Sequence, residues 1–227
     1  MPDTTRLNKH LAHTLGMSRR EADAHIEQGR VKVNGSIASL GNVVQSSSDQ
    51  ITVDDKPVTN ESKQYTYILM NKPVNYICSR RQQGDTPTIY SLLPEKYHDL
   101  KVAGRLDKDS CGLLLLTDDG DAIFKLTHPK FGKEKIYQVA LHRAVTEQDL
   151  EKINQGIMLE DGRSDLRVKP IKSDDKTNLY EVTMHEGRNR QIRRTFGGLR
   201  YTVTHLERIK FGEHNLAQLG ENLILQI

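Results

Sequence analysis

The sequence predicts an α+β protein built from two units, and three observations carry that reading. Two short helical stretches and a hairpin signal crowd residues 1–58, a polar segment from Thr59 to Gln64 follows Pro57, and residues 65–227 alternate many strand-like runs with few helices. A small α-β domain, a linker over 59–64 and a larger domain with a mixed, mainly antiparallel sheet are therefore expected. With 227 residues, 36% of them hydrophobic and 28% charged, and a mean hydropathy of −0.63, the chain has material for a core and the composition of a soluble globular protein. No segment approaches the roughly 18 apolar residues of a spanning helix, so no membrane role is expected.

In the first unit, Leu7, Leu11 and Leu15 recur at helical spacing and stop at Gly16, leaving Arg6, Lys9 and His13 off the apolar stripe. Ser18-Arg19-Arg20-Glu21 has the form of a capping box, Ala22 and Ile26 supply an apolar face, and Gly29 ends the second helix. Val31-Lys32-Val33 then alternates as a strand into the hairpin signal Asn34-Gly35.

In the second unit, strands are expected at Tyr65 to Met70, Leu113 to Leu116, Lys135 to Leu141, Leu166 to Lys172, Leu179 to His185, Val203 to Phe211 and Leu223 to Ile227. Leu113 to Leu116 is bounded by Gly112 and Asp118-Asp119-Gly120, which reads as a short strand buried on both faces. Helices are expected at Asp121 to Thr127, Thr146 to Gln155 and Asn189 to Phe196, with a turn at Asp161-Gly162.

Met1 to Asn8 shows no apolar stretch behind a basic start, so no signal peptide and a cytoplasmic location are expected. Cys78 and Cys111 have no CxxC spacing, which supports neither a zinc site nor a disulfide framework; both read as small core residues. The formal net charge is only +3, but it is unevenly spread. His185 to Phe211 holds Arg188, Arg190, Arg193, Arg194, Arg200, Arg208 and Lys210 against Glu186 and Glu207. Arg6 to Ser36 holds Arg6, Lys9, Arg19, Arg20, Arg30 and Lys32 against Glu21, Asp23 and Glu27. Two basic regions separated by more acidic sequence suit a polyanion partner, although solvated helix faces would look the same.

The stretches RLNKHL, SRREADAHIEQGRVKVNG and ITVDDKPV, in that order, resemble the S4 RNA-binding module. The resemblance implies contact with structured RNA through the phosphates, carried by Lys9, Arg19, Arg20, Arg30 and Lys32. Further on, GRLDKDSCGLLLLTDDG, KEKIYQVAL and HEGRNRQIRR resemble the signature motifs of pseudouridine synthases, in the branch that joins the small-subunit rRNA enzyme to its large-subunit relatives. MNKPVNYICS and HLERIKFG fit the same branch. The implied activity is isomerisation of a specific uridine in ribosomal RNA or a pre-ribosomal particle, with the large subunit slightly favoured, by a monomer.

That reaction breaks the bond between ribose and uracil nitrogen, turns the base and rejoins it through a ring carbon. It involves no redox change or hydrolysis, so no cofactor and no metal are implied. The resemblance assigns Asp107 as the catalytic carboxylate, acting as nucleophile or base, and Arg193 as the partner that keeps it ionised. Tyr137 would stack on the target base, Ile192 would floor the uracil, and Arg105 would fill the place of the flipped nucleotide. Arg188, Arg190 and Arg194 are expected to neutralise phosphates at the mouth. Asp118, Asp119 and Asp121 read as turn and capping residues, and Asp109 as a cap for the loop.

Arg200 stands where that branch usually has glycine, so a positive-φ turn is expected to have moved to Gly197 or Gly198. Two rivals remain: an idle RNA-binding or ribosome-assembly protein, which would not need Asp107, Tyr137 and Arg193 together, and another base-flipping enzyme such as a glycosylase, which would release free uracil.

Overall fold

The computed structural model describes residues 4–59, 64–171 and 178–227 and divides into two compact units, residues 1–64 and 65–227. The expected linker over 59–64 falls largely on residues 60–63, outside the described residues. No helix among the described residues is long and apolar enough to cross a membrane.

The first unit runs β1 (Thr4–Arg6), α1 (Leu7–Leu15), α2 (Arg19–Glu27), β2 (Val31–Val33), β3 (Ser36–Ile37), β4 (Val43–Gln45), β5 (Ile51–Val53) and β6 (Lys56–Pro57). Its core is Leu7, Leu11, Ala22, Ile26, Val31, Ala38, Val44 and Ile51. Leu15, though on the helical stripe, is 43% exposed. The capping box of α2 is complete: Ser18 Oγ accepts from the Glu21 amide at 3.2 Å and Glu21 Oε2 accepts from the Ser18 amide at 2.6 Å. β2 pairs antiparallel with β3 and β5, and β5 with β6.

The second unit contains β7 (Tyr67–Lys72), β8 (Lys101–Ala103), β9 (Cys111–Thr117), α3 (Gly120–Thr127), β10 (Lys135–Leu141), α4 (Glu147–Gln155), β11 (Ile157–Leu159), β12 (Gly162–Ser164), β13 (Arg167–Pro170), β14 (Leu179–Met184), α5 (Gln191–Gly198), β15 (Val203–Phe211), β16 (His214–Asn215) and β17 (Ile224–Gln226). The large sheet follows the order β13-β14-β10-β15-β9-β7-β17, with β8 beside β9 and β16 beside β15. Its pairings are antiparallel except β15 with β9, which is parallel. The expected sheet is therefore present, and β10 and β15 have the expected bounds. β8 and the β11–β12 hairpin are additions; both are strands of three residues, too short to show a period.

Every residue of β9 is buried. Leu114 and Leu116 join one apolar layer with Ile68, Met70, Tyr137, Val139, Ile192 and Phe196, whereas Leu113 and Leu115 join a second with Leu69, Phe211 and Leu219. The strand that follows the Asp107 loop is thus clamped from both sides. At its start Gly112 has φ +95°, and a Cβ there would collide with the Arg208 carbonyl oxygen across the parallel pair.

The turn before β15 differs from expectation. Gly197 and Gly198 stay helical, and Arg200 itself takes the left-handed conformation, φ 62°. The amides of Leu199, Arg200 and Tyr201 close the helix end onto Phe196 and Gly197 carbonyls, which holds the arginine there without a glycine. Asp119 caps α3 as expected, accepting from the Asp121 and Ala122 amides, and also accepts from the Tyr67 hydroxyl at 2.6 Å.

Candidate active site

A cavity of about 470 Å³ opens in the second unit. Its lining brings together Asp107, Arg105, Tyr137, Ile192, Arg188, Arg190 and Arg193 from three separate stretches of sequence. Tyr137 and Ile192 are buried apolar surface within it. Tyr137 keeps the alternation of β10, in phase with Val139 and Leu141, while the register with β15 shifts beside it, between Ile136 and Tyr137.

Asp107 belongs to a loop tied down at four successive carbonyls, from Asp107 to Ser110. Lys72, fully buried at the end of β7, donates its Nζ to the carbonyls of Pro73, Asp107 and Ser110 at 3.0, 3.1 and 2.7 Å. The Asn75 amide takes the Lys108 carbonyl at 2.7 Å and an Arg193 guanidinium nitrogen takes that of Asp109 at 2.8 Å. Burial pushes the Lys72 ammonium below its ordinary pKa, while the carboxylates of Asp107 and Asp109 and the thiols nearby work against that. Sequence reasoning missed Lys72, although it lies in the MNKPVNYICS stretch.

The ion pairs differ from expectation in three respects. The salt-bridge partner of Asp107 is Arg190, 3.5 Å from its Oδ2, and not Arg193. Arg193 turns to Asp109 instead: its Nε lies 3.2 Å from Asp109 Oδ2, outside hydrogen-bond alignment, and its other nitrogens reach the Asp109 and Val203 carbonyls. Arg190 also grips Asp109 with two bonds of 3.0 and 2.9 Å. Asp109, read as a loop cap, is the hub that holds both arginines beside Asp107, and the Arg190 hydrogen bond keeps its carboxyl below the usual range. Arg190 makes these bonds from φ 47°, a left-handed conformation that non-glycine residues adopt at a cost and that recurs at functional sites.

The third difference is Arg194, which is absent from the cavity lining. It pairs with Asp161 Oδ2 at 2.7 Å in the β11–β12 turn, where Arg188 also donates to Asp161 Oδ1 at 2.8 Å. Residues 193 and 194 point apart because successive positions on a helix differ by about 100°.

Two basic groups stand deeper in the cavity wall. Arg208 is buried and donates to the carbonyls of Leu113 and Gly104 at 2.8 and 2.9 Å. Lys135, two residues before Tyr137, donates to the Glu186 carbonyl at 3.3 Å, and burial followed by the Arg208 charge lowers its pKa. Cys78 also lines the cavity; burial pushes its thiol up, which disfavours a nucleophilic thiolate. Cys111 is buried as expected.

In the first unit Arg19 and Arg20 are exposed at the start of α2. Cations there oppose the helix dipole, so helix stability does not explain them. Arg30 and Lys32 are paired with Asp54 and Asp55 at 2.5 and 2.6 Å, which reduces the free positive charge expected of that surface.

One cavity thus gathers an aspartate loop, a tyrosine strand and the first turn of an arginine-bearing helix. The chain belongs to the RNA pseudouridylate synthase family, whose model matches residues 66–197, and it carries an S4 domain matched over residues 5–51. It is 36% identical over 220 residues to the ribosomal large subunit pseudouridine synthase B of Bacillus subtilis, covering 94% of this chain and 88% of that one. It is 37% identical over 212 residues to the ribosomal small subunit pseudouridine synthase A of Haemophilus influenzae, covering 92% and 89%. A solved pseudouridylate synthase shares the fold with a TM-score of 0.68 at 34% identity, covering 98% of this chain and 95% of that one.

Proposed function

We propose that this chain converts one specific uridine of large-subunit ribosomal RNA to pseudouridine, and that the first unit docks structured RNA through its basic surface. The observation that carries the reading is the Asp107 carboxylate at a cavity lined by Tyr137 and Ile192, with two arginines fixed beside it by Asp109. An apolar slot suits a flipped uracil, and a rigidly held carboxylate suits attack on, or proton removal from, the adjoining ribose. The glycosidic C–N bond breaks, a C–C bond forms to the turned base, the ring carbon releases a proton and the freed nitrogen gains one.

In this reading Tyr137 stacks on the base, and Arg190 and Arg193, held by Asp109, place positive charge beside Asp107 and orient it. Arg105, exposed at the cavity, occupies the space of the extruded nucleotide, whereas Arg188, expected to meet phosphate, is committed to Asp161 and Glu186 and braces the rim. The Gly156–Gly162 and Gly187–Arg194 stretches resemble the large-subunit enzymes and support that substrate over small-subunit RNA.

Two measurements test it. Asp107→Asn should lower pseudouridine formation in bacterial ribosomal RNA by at least about a thousandfold; wild-type turnover would sink the assignment. Mapping pseudouridine across both ribosomal RNAs in a strain lacking the gene should show one missing site in the large subunit, and a missing small-subunit site would redirect the substrate.

A further inference from the structure

The second unit carries an aromatic and basic patch outside the catalytic cavity. Phe124 on α3 and Phe131 in the turn after it are 44% and 39% exposed. Their rings meet edge to face with centroids 5.5 Å apart, and His128 lies 4.8 Å from the first and 6.4 Å from the second. Lys130 Nζ stands 5.0 and 4.8 Å from the two ring centres. α3 packs on the core through Ile123 and Leu126, and Phe124 stands outside that contact, so core packing does not explain it.

Beside the rings, Phe131 walls a groove of about 300 Å³ together with Lys125, Leu126, Lys133 and His214. Among the described residues lining the groove the carboxylate is Glu213, 3.8 Å from Lys133; Asp119 at the start of α3 feels the charge of Lys125, and with Lys130 over the rings three lysines surround the patch. The helix that carries the patch also borders the catalytic cavity: Thr127, the last residue of α3, lines it.

We propose that Phe124, His128 and Phe131, with Lys125, Lys130 and Lys133, form a stacking platform for single-stranded RNA next to the target nucleotide. The inference rests on the proposed RNA substrate and adds where its flanking nucleotides lie. Aromatic faces accept any base, and lysines spaced around them meet the phosphates between bases. Lys130 covers the rings through cation–π contact in the free protein and moves to a phosphate when a base takes its place. A protein partner would be a rival occupant, but a lysine-rimmed aromatic pair matches stacked bases on a polyanion better than it matches an apolar helix.

The test uses the full chain, a short single-stranded RNA containing 2-aminopurine, and a duplex of the same sequence. Phe124→Ala/Phe131→Ala should weaken single-strand binding at least about fivefold, abolish the change in 2-aminopurine fluorescence, and leave duplex binding and the melting temperature unchanged. Lys125→Gln/Lys130→Gln/Lys133→Gln should flatten the salt dependence of single-strand affinity by a slope of about two, at about 0.7 per phosphate. Equal single-strand affinity in wild type and the phenylalanine variant, or an equal loss on single strand and duplex, would overturn the platform. Crosslinking of the patch to an acidic protein in place of RNA would overturn it as well. Turnover of ribosomal RNA by the wild type, run alongside, reports on the proposed activity separately, so the two ideas fail independently.

Discussion

Four arginines around α5 divide into two pairs that do different work. Arg190 and Arg193 reach Asp109 beside the cavity, whereas Arg188 and Arg194 reach Asp161 in the β11–β12 turn. Each pair shares one aspartate, and the two resemble each other as charge arrangements. They differ in what lies behind the aspartate. Asp109 belongs to a loop held at four successive carbonyls and followed by a strand buried on both faces, while Asp161 sits at the tip of an exposed hairpin. The same chemistry therefore serves orientation at one place and tethering at the other, because only the first rests on a rigid support.

The sharpest way to break this contrast is to remove one arginine from each pair. Arg193→Ala should lower kcat on ribosomal RNA by on the order of a hundredfold or more, about 3 kcal/mol, because the charge beside Asp107 is lost from a largely buried position. Arg194→Ala should leave kcat within about twofold, since its partner is an exposed carboxylate away from the cavity. Single-turnover rates with saturating enzyme distinguish the two, and similar losses in both would show that the pairs are equivalent.

A smaller effect should come from the support itself. Lys72→Met keeps the bulk of the side chain but leaves the Asp107 and Ser110 carbonyls short of a donor, which costs about 1–3 kcal/mol. Urea unfolding of the full chain should show that loss, accompanied by a fall in kcat with little change in KM. A stability loss with unchanged kcat would mean that the loop does not need its staple to place Asp107.

How much of this was legible in the sequence depended on whether the neighbours along the chain carried the information. β10 alternates over seven residues between two antiparallel neighbours, so period alone bounds it, whereas β15 breaks its alternation and pairs parallel with β9 on one side. Asp107, Tyr137 and Ile192 were found through motif order and do share a cavity. The partnering of Asp107 and Asp109 was not legible, because two aspartates two residues apart look alike until the left-handed Arg190 and the turn of α5 decide which arginine meets which. Arg194 was misplaced for the same reason: charge counting treats adjacent arginines as one patch, and a helix separates them by about 100°. Lys72 stayed hidden because a lysine before proline reads as the polar end of a strand, and only the returning loop turns it into a buried donor.

The smallest effect concerns acid. Arg190 lowers the pKa of Asp109, and Arg194 followed by Arg188 lowers that of Asp161. A carboxyl whose folded pKa lies below its unfolded value, about 3.9, contributes its stability in full above that value and loses it as the pH falls through the folded pKa. Both pairs should therefore hold at neutral pH and weaken only below about pH 4. Because Asp109 is 46% exposed, solvent screening keeps its share below about 1 kcal/mol. Asp109→Asn should lower the urea midpoint slightly at pH 7, with the gap to wild type closing as the pH drops below about 4, and Asp161→Asn should follow the same course. Their kinetics should part: at neutral pH Asp109→Asn releases Arg190 and Arg193 from their hub and slows turnover, whereas Asp161→Asn frees only the hairpin tether. Equal kinetics in the two variants would make Asp109 a tether like Asp161 and leave the rigid loop as the sole distinction of the catalytic side.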